Sequence, residues 1–313
     1  MEQIIEPISR ELIKSELTDD KFIRETNNGG NYLYEITCHN APHTMQEIGR
    51  LRELTFRSAG GGTGHSVDID EYDISANPYR QLLVWDPVDQ EILGGYRWHI
   101  VDPKKGEELN LSTTSLFNFS EKFKQDYLPS LIELGRSFVQ PKYQSAQRSG
   151  KGLYALDNLW DGLGALVVRN PGIKYFFGKV TMYRSYNREA RNLLLYFMEK
   201  YFTDHEKLVT PIYPMELDID RERMATILTG KNYKDDYKIL SHQIRTLGEH
   251  IPPLINSYMN VSPSMKVFGT VINPHFGDVE ETGIMITISD IYEKKVERYI
   301  LSFFKRRFKH LHE

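Results

Sequence analysis

Cysteine is nearly missing from this sequence of 313 residues: Cys38 is the single one. One thiol excludes an internal disulfide framework and points to a reducing compartment. No apolar run approaches the roughly 18 residues that a membrane-spanning helix needs. The first residues, MEQIIEPISRE, are acidic where a secretory leader would be basic. The expected location is therefore cytoplasmic and soluble, or at most peripheral on the cytoplasmic face of a membrane. None of the ten histidines falls in an H-E-x-x-H motif, and no metal site is expected. The net charge of −4 offers no overall attraction for nucleic acid. Internal repeats and long low-complexity segments are absent too. Hydrophobic residues make up 40%, enough to bury a sizeable core in one large domain with insertions or two small ones.

Residues 1–30 read as an N-terminal arm, with a possible helix over Ile4 to Leu17 and a break at Asn27-Asn28-Gly29-Gly30. Tyr32 to Cys38 alternates as a strand does. Thr44 to Arg57 has helical spacing, with Met45, Ile48, Leu51, Leu54 and Phe56 expected inside. The glycine-rich stretch Ser58 to Gly64 leads into an acidic cluster, Asp68, Asp70, Glu71 and Asp73, which taken alone reads equally well as a solvated loop. Gln81 to Trp85 and Ile92 to Val101 form a hairpin by their turn residues, Asp86-Pro87-Val88-Asp89. Beyond the middle of the chain, Tyr175 to Met182 reads as a strand and Asn187 to Phe202 as an amphipathic helix. Residues 203–250 read as a polar helical insertion. A proline-led helix over Ile251 to Met259 follows, then strands at Lys266 to Ile272 and Gly283 to Ile288.

The stretch Leu131 to Gly152, LIELGRSFVQPKYQSAQRSGKG, carries the densest signal. It opens as an apolar strand closed by Pro141, yet Glu133 and Arg136 sit inside it. Charges in a central strand are costly unless paired or used. A loop with Lys142, Arg148 and Lys151 follows. It contains Gln147, Gly150 and Gly152 in a Q-x-x-G-x-G spacing, and a helix from about Leu153 to Val168 comes next. Strand, glycine-containing loop and helix N-terminus together suit a phosphate: N–H groups and the helix dipole face the anion, and glycine permits close approach.

In this order of elements, and in Val139, Pro141, Gln147, Gly150 and Gly152, the chain resembles the GCN5-related N-acyltransferases, with three extra residues before Gln147. The resemblance implies an α/β (α+β) fold: a mixed, mostly antiparallel central sheet flanked by helices, over residues 31–290. A closer resemblance is to the acyl-carrier-protein-dependent branch. It comprises the ornithine-lipid and glycine-lipid N-acyltransferases, often called haemolysin-like, and is related to the acyl-homoserine-lactone synthases. The matching residues are Arg52 and Phe56 (R-x-x-x-F), Asp70 and Asp73 (D-x-Y-D), and Gly94, Tyr96 and Arg97 (G-x-Y-R). Glu133 to Ser137 and Val139 match E-L-G-R-S-x-V, and Pro252 to Tyr258 match P-P-L-I-x-x-Y. This implies transfer of a long, in some relatives 3-hydroxylated, acyl chain from an acyl carrier protein thioester, or from acyl-CoA, to an amino acid amine. Glycine is the expected acceptor, with ornithine as the other choice, in aminolipid synthesis. No bound cofactor is implied.

Such chemistry needs a base for the ammonium, and Glu133 is the candidate; the bland reading pairs it with Arg136 or Arg97. In a regular strand Glu133 and Arg136 face opposite ways, and Gly135 between them permits a bulge. N–H groups near Phe138 and Val139 are the candidate oxyanion donors, with Ser137 beside them. Arg97 and Arg136, with Arg52 and Arg57 behind, could hold the acceptor's carboxylate unless they pair with Asp70 or Asp73. Gln147, Arg148, Gly150, Lys151 and Gly152 would hold the pantetheine phosphate. Many relatives carry a tyrosine acid in N-x-x-A-x-x-L-Y; here Asn187, Ala190 and Leu193 are in register, but Leu194 takes the tyrosine's place. Residues 291–313 read as a basic amphipathic helix, packed on the core or docking to the carrier protein or an anionic membrane. An acetyl-CoA-dependent acetyltransferase and a non-catalytic lipid-binding protein stay open as alternatives. The phosphate loop gives a direct expectation. Gly150→Val or Gly152→Val should raise the KM for thioester in steady-state assays, because a side chain blocks backbone approach; an unchanged KM makes the loop structural.

Overall fold

Pro7 and Pro42 set the first helix boundaries. The computed structural model describes residues 1–101, 109–144 and 150–304, the first four of the last span by backbone alone. In chain order the elements begin with α1 (Arg10–Glu16), β1 (Phe22–Glu25), β2 (Tyr32–Ile36), α2 (Pro42–Ser58) and α3 (Glu71–Ile74). Next come β3 (Arg80–Asp86), β4 (Glu91–His99), β5 (Phe117–Phe119), β6 (Leu131–Val139) and α4 (Gly150–Arg169). Then follow β7 (Tyr175–Met182), α5 (Arg188–Phe202), β8 (Val209–Pro211), α6 (Arg221–Ile227) and α7 (Tyr233–Thr246). The last are α8 (Pro253–Met259), β9 (Lys266–Asn273), β10 (Val279–Thr287) and α9 (Glu293–Lys295). They fall into two compact units. One comprises Met1–Ser112, Ser130–Ile173 and Tyr292–Glu313, the other Thr113–Pro129 and Lys174–Ile291.

In the first unit the strand order is β1-β2-β3-β4-β6, antiparallel at every step. Strands β3 and β4 are buried almost along their whole length, as their near-continuous apolar runs require when both faces are covered. Arg52 of α2 reaches Gln81, whereas Gly162 of α4 lies against Leu82. Adjacent strand residues point to opposite faces, so α2 and α4 cover the two sides. A Cβ on Gly94 would meet the Phe138 carbonyl oxygen at 2.4 Å, so the small residue lets β4 and β6 close. The segment expected as an arm is woven into this unit. Its helix is confined to Arg10–Glu16, because Pro7 cannot sit in a helix interior. Glu16 then accepts from the N–H groups of His43 (3.0 Å) and Thr44 (2.7 Å), capping α2 from outside. Leu54, expected inside, is exposed on α2.

The β6 ladder is irregular where the sequence suggests it. Gly95 faces Phe138 and Arg97 faces Gly135, so three steps on β6 oppose two on β4. The bulge expected at Gly135 is there, but the left-handed residue is Arg136, at φ 48°. A non-glycine residue held in that region stores backbone strain.

In the second unit β7, β10 and β9 form an antiparallel sheet, with β5 and β8 as a separate two-stranded ribbon. β10 starts at Val279, four residues ahead of the expected Gly283, because Gly277 in the left-handed region closes the hairpin early. The span 203–250 holds α6 and α7 together with β8. Leu194 is fully buried, so α5 offers no acid at the position where many relatives carry tyrosine.

The C-terminal segment Val296–Leu301 packs on α4. Tyr299 donates to Asp157 at 2.7 Å and Arg298 pairs with the same carboxylate. Residues 305–313, with the basic cluster singled out in the sequence, lie outside the described residues. Among the described residues no helix is long and apolar enough to cross a membrane. A Cβ on Gly164 would lie 2.2 Å from the Tyr299 carbonyl oxygen, a backbone atom that cannot swing aside. Gly164→Ala should therefore destabilise the protein by about 1–3 kcal/mol in urea titrations. An unchanged midpoint would show that the C-terminal segment shifts without cost.

Candidate active site

Asp70 starts the site. It caps α3, its Oδ1 accepting from the N–H groups of Tyr72 (3.1 Å) and Asp73 (3.2 Å), while Asp73 Oδ2 accepts from the Asp70 N–H at 3.3 Å. This reciprocal capping box fixes both carboxylates through local backbone geometry. Their outward sides take arginines. Arg97 Nη1 donates to both Asp70 oxygens at 2.7 Å and to Asp73 Oδ2 at 3.3 Å. Arg52 Nη1 reaches Asp73 Oδ2 at 3.0 Å, and Gln81 bridges the pair, accepting from Arg52 and donating to Asp73 Oδ1 at 2.9 Å. Asp68, anchored to α2 through its N–H on the Gly49 carbonyl (3.0 Å), accepts from Arg136 Nε at 3.1 Å. Arg136 Nη2 lies 3.6 Å from Asp70. Three arginines thus meet three aspartates, from α2, α3 and its approach, β4 and the β6 bulge.

Burial and charge oppose each other here. Burial pushes the Asp70 carboxyl up, but Arg97 and Arg136 outweigh it and bring it down to about 2. Burial also pulls on Arg97, yet Asp73 and Asp70 win and raise it above the usual arginine value. For Arg52 burial prevails over Asp73 and Asp68 and lowers it; a guanidinium remains charged regardless. The acidic cluster is therefore no solvated loop: Asp68 and Asp73 are buried, Asp70 is mostly so, and only Glu71 is exposed. The arginines differ in access. Arg52 and Arg97 side chains are 0% and 3% exposed, against 13% for Arg136.

Glu133 lies on β6 directly across from His99 of β4 and is fully buried. Its Oε2 accepts from the Tyr79 hydroxyl, from the Ser112 N–H at 2.9 Å and from Ser112 Oγ at 3.2 Å. The Tyr79 ring lies 5.2 Å from the Arg97 guanidinium carbon, which ties Glu133 to the ionic network. Tyr79, Gln81 and Ser112 went unnoticed in the sequence. A polar Gln81 at the head of the run QLLVW was the visible signal; a backbone N–H such as that of Ser112 leaves none.

Phe56 is buried one turn beyond Arg52 on α2, and Ser137 is half-buried beside the bulge. The Gln140 N–H donates to the Leu93 carbonyl at 2.8 Å. Alternation along an antiparallel ladder then directs the Phe138 N–H to Gly95 and turns the Val139 N–H away from β4. Of the two expected oxyanion donors, Phe138 is taken up by the ladder. Arg57, placed behind the acceptor arginines, instead binds Glu53 at 2.7 Å. Lys142 pairs with Glu91 at 2.7 Å. Gln147 and Arg148 lie outside the described residues; the backbones of Gly150, Lys151 and Gly152 form the first turn of α4. No group of three or more metal-ligating side chains occurs among the described residues.

The model of the acetyltransferase (GNAT) domain matches residues 51–151, a span that contains α3, β3, β4, the β6 bulge and the last eight residues of α2. A glycine N(alpha)-acyltransferase of Phocaeicola vulgatus is 54% identical over 98% of this chain and 95% of its own length. A glycine N(alpha)-acyltransferase of Bacteroides thetaiotaomicron is 55% identical over 97% of this chain and 91% of its own.

The depressed Asp70 value makes stability depend on pH. Its folded value of about 2 lies below the ordinary 3.8, so its contribution is full above about pH 4 and is lost as pH falls toward 2. The stability gap between wild type and Asp70→Asn should shrink by about 2 kcal/mol between pH 6 and pH 2 in urea titrations. A gap constant over that window would contradict the ionic pairing.

Proposed function

The chain belongs to the GNAT family of acyltransferases, and on that premise we propose that it moves a fatty acyl chain from a carrier-bound thioester to the amine of glycine. The observation that carries this reading is the near full-length similarity to two glycine N(alpha)-acyltransferases. The buried carboxylate Glu133, linked through Tyr79 to the arginine network, gives it a chemistry.

In this mechanism glycine's ammonium gives a proton to Glu133, and the freed amine attacks the thioester carbonyl. The C–N bond forms, the attacking nitrogen gives up its second proton through water, the C–S bond breaks, and the departing thiolate takes up that proton. A pantetheine thiolate leaves without the tyrosine acid whose position Leu194 occupies. The Val139 N–H is the remaining candidate for the developing oxyanion. Arg136 is the guanidinium that acceptor carboxylate can reach: it is the most exposed of the three arginines and sits in the bulge three residues from Glu133. Arg97, whose Nη1 is taken by Asp70 and Asp73, supports it from behind. The first turn of α4 would face the pantetheine phosphate with its unpaired N–H groups.

An acyl carrier protein is the proposed donor, with a lipid of the aminolipid class as the eventual product and the cytoplasmic side of the membrane as the place of work. The test is a competition. The protein is incubated with a 3-hydroxyacyl carrier protein and equal concentrations of glycine, ornithine and other amino acids, and products are identified by mass. N-(3-hydroxyacyl)glycine should dominate. A dominant acylornithine would overturn the acceptor, and turnover only with acetyl-CoA would overturn the donor. No product with any thioester would leave a non-catalytic lipid-binding protein.

A further inference from the structure

Tyr79 takes no proton in the mechanism above and appears there only as a link, yet the geometry points to more. We infer that its hydroxyl is the positioning group that aims Glu133, and that its ring joins the base to the arginine network. This rests on the reading of Glu133 as the base.

Four contacts fix Tyr79. The ring is fully buried just ahead of β3 and stacks on His99 with centroids 4.5 Å apart and planes 9° from parallel. The Tyr72 ring meets it edge-on at 5.4 Å, and the Arg97 guanidinium lies against it at 5.2 Å. The hydroxyl oxygen accepts from the Ser112 N–H at 2.9 Å. That leaves one proton to donate, with two acceptors in reach: Glu133 Oε2 and the Asn110 carbonyl at 3.2 Å. A carboxylate is the stronger acceptor, so the proton goes to Glu133.

The phenol does not compete as an acid. Burial and the neighbouring Glu133 charge push it well above its ordinary value. It therefore stays a donor at any working pH. A buried carboxylate needs hydrogen-bond donors in place of the water it has lost. Tyr79 supplies one donor directly, and through the Ser112 N–H, which it shares with Glu133, it holds the second in place. The same ring packs on Arg97, so a shift of the arginine network is felt at the base.

Among the described residues, the charged and titratable groups packed against this pair are His99 and Arg97 on β4 and Tyr72 on α3. Removing a donor to the ionised form raises a carboxyl pKa, and strengthening the donor lowers it. The experiment records kcat/KM for glycine against pH in the full-length protein carrying wild-type Tyr79, Tyr79→Phe or 3-fluorotyrosine at position 79. Tyr79→Phe should move the acid limb up by about one pH unit. Fluorotyrosine, a stronger donor of the same shape, should move it down. An imidazole titrates in the same region, so the profiles are repeated in a His99→Gln background, where the opposite shifts should persist.

Equal rate losses with an unmoved limb in both variants would overturn the inference and leave Tyr79 as packing alone. Should Tyr79→Phe not fold, the downward shift of the fluorotyrosine protein still decides. A wild-type profile with no acid limb would instead remove Glu133 as the base, whatever Tyr79 does.

Discussion

The buried meeting of three guanidinium groups with three carboxylates is the constraint on which the first unit depends. Ions taken out of water are tolerated only when their partners are close and well directed. Here direction comes from ordinary local devices: a capping box aims Asp70 and Asp73, and an N–H bond to α2 anchors Asp68. Because Arg52, Arg97 and Arg136 come from α2, β4 and β6, matching them also fixes helix and strands against one another. Opposite charges balance across these six side chains, so together they carry no net charge.

The bulge on β6 converts that scaffold into a site. In a regular strand Glu133 and Arg136 would face opposite sides; an extra residue with a positive φ re-aims the guanidinium toward Asp68 and Asp70. The strain is held by the contacts around it: Gly94 and Gly95 allow close approach of β4, and Asp68 captures the re-aimed side chain. The proposed base and the proposed acceptor-binding arginine then lie within one short run of β6, placed by backbone geometry without a flexible loop.

Much of this was legible beforehand. The run E-L-G-R-S announced a strand with charges that must be used, and Gly135 announced its bulge, because those signals lie within a few consecutive residues. The acidic cluster was ambiguous for the opposite reason. Its partners lie 21, 27 and 68 residues away, and no local pattern separates a solvated aspartate from one facing a buried arginine. Tyr79 and Ser112 were missed on the same ground, since they meet Glu133 across 54 and 21 residues. The arm was misjudged as a helix beginning at Ile4 because apolar spacing outweighed Pro7. Family resemblance supplied what spacing could not, namely an amine acylation chemistry for which a carboxylate in this strand could serve.

The central claim is that Glu133 takes the proton from the acceptor amine. The most direct measurement is single-turnover acyl transfer from carrier protein to glycine by Glu133→Gln, with folding checked by circular dichroism and urea titration. Gln keeps the shape and an acceptor oxygen but cannot hold the proton. The account predicts a rate about 10²–10⁴-fold below wild type in a folded protein. Transfer at nearly the wild-type rate by that folded variant would contradict it.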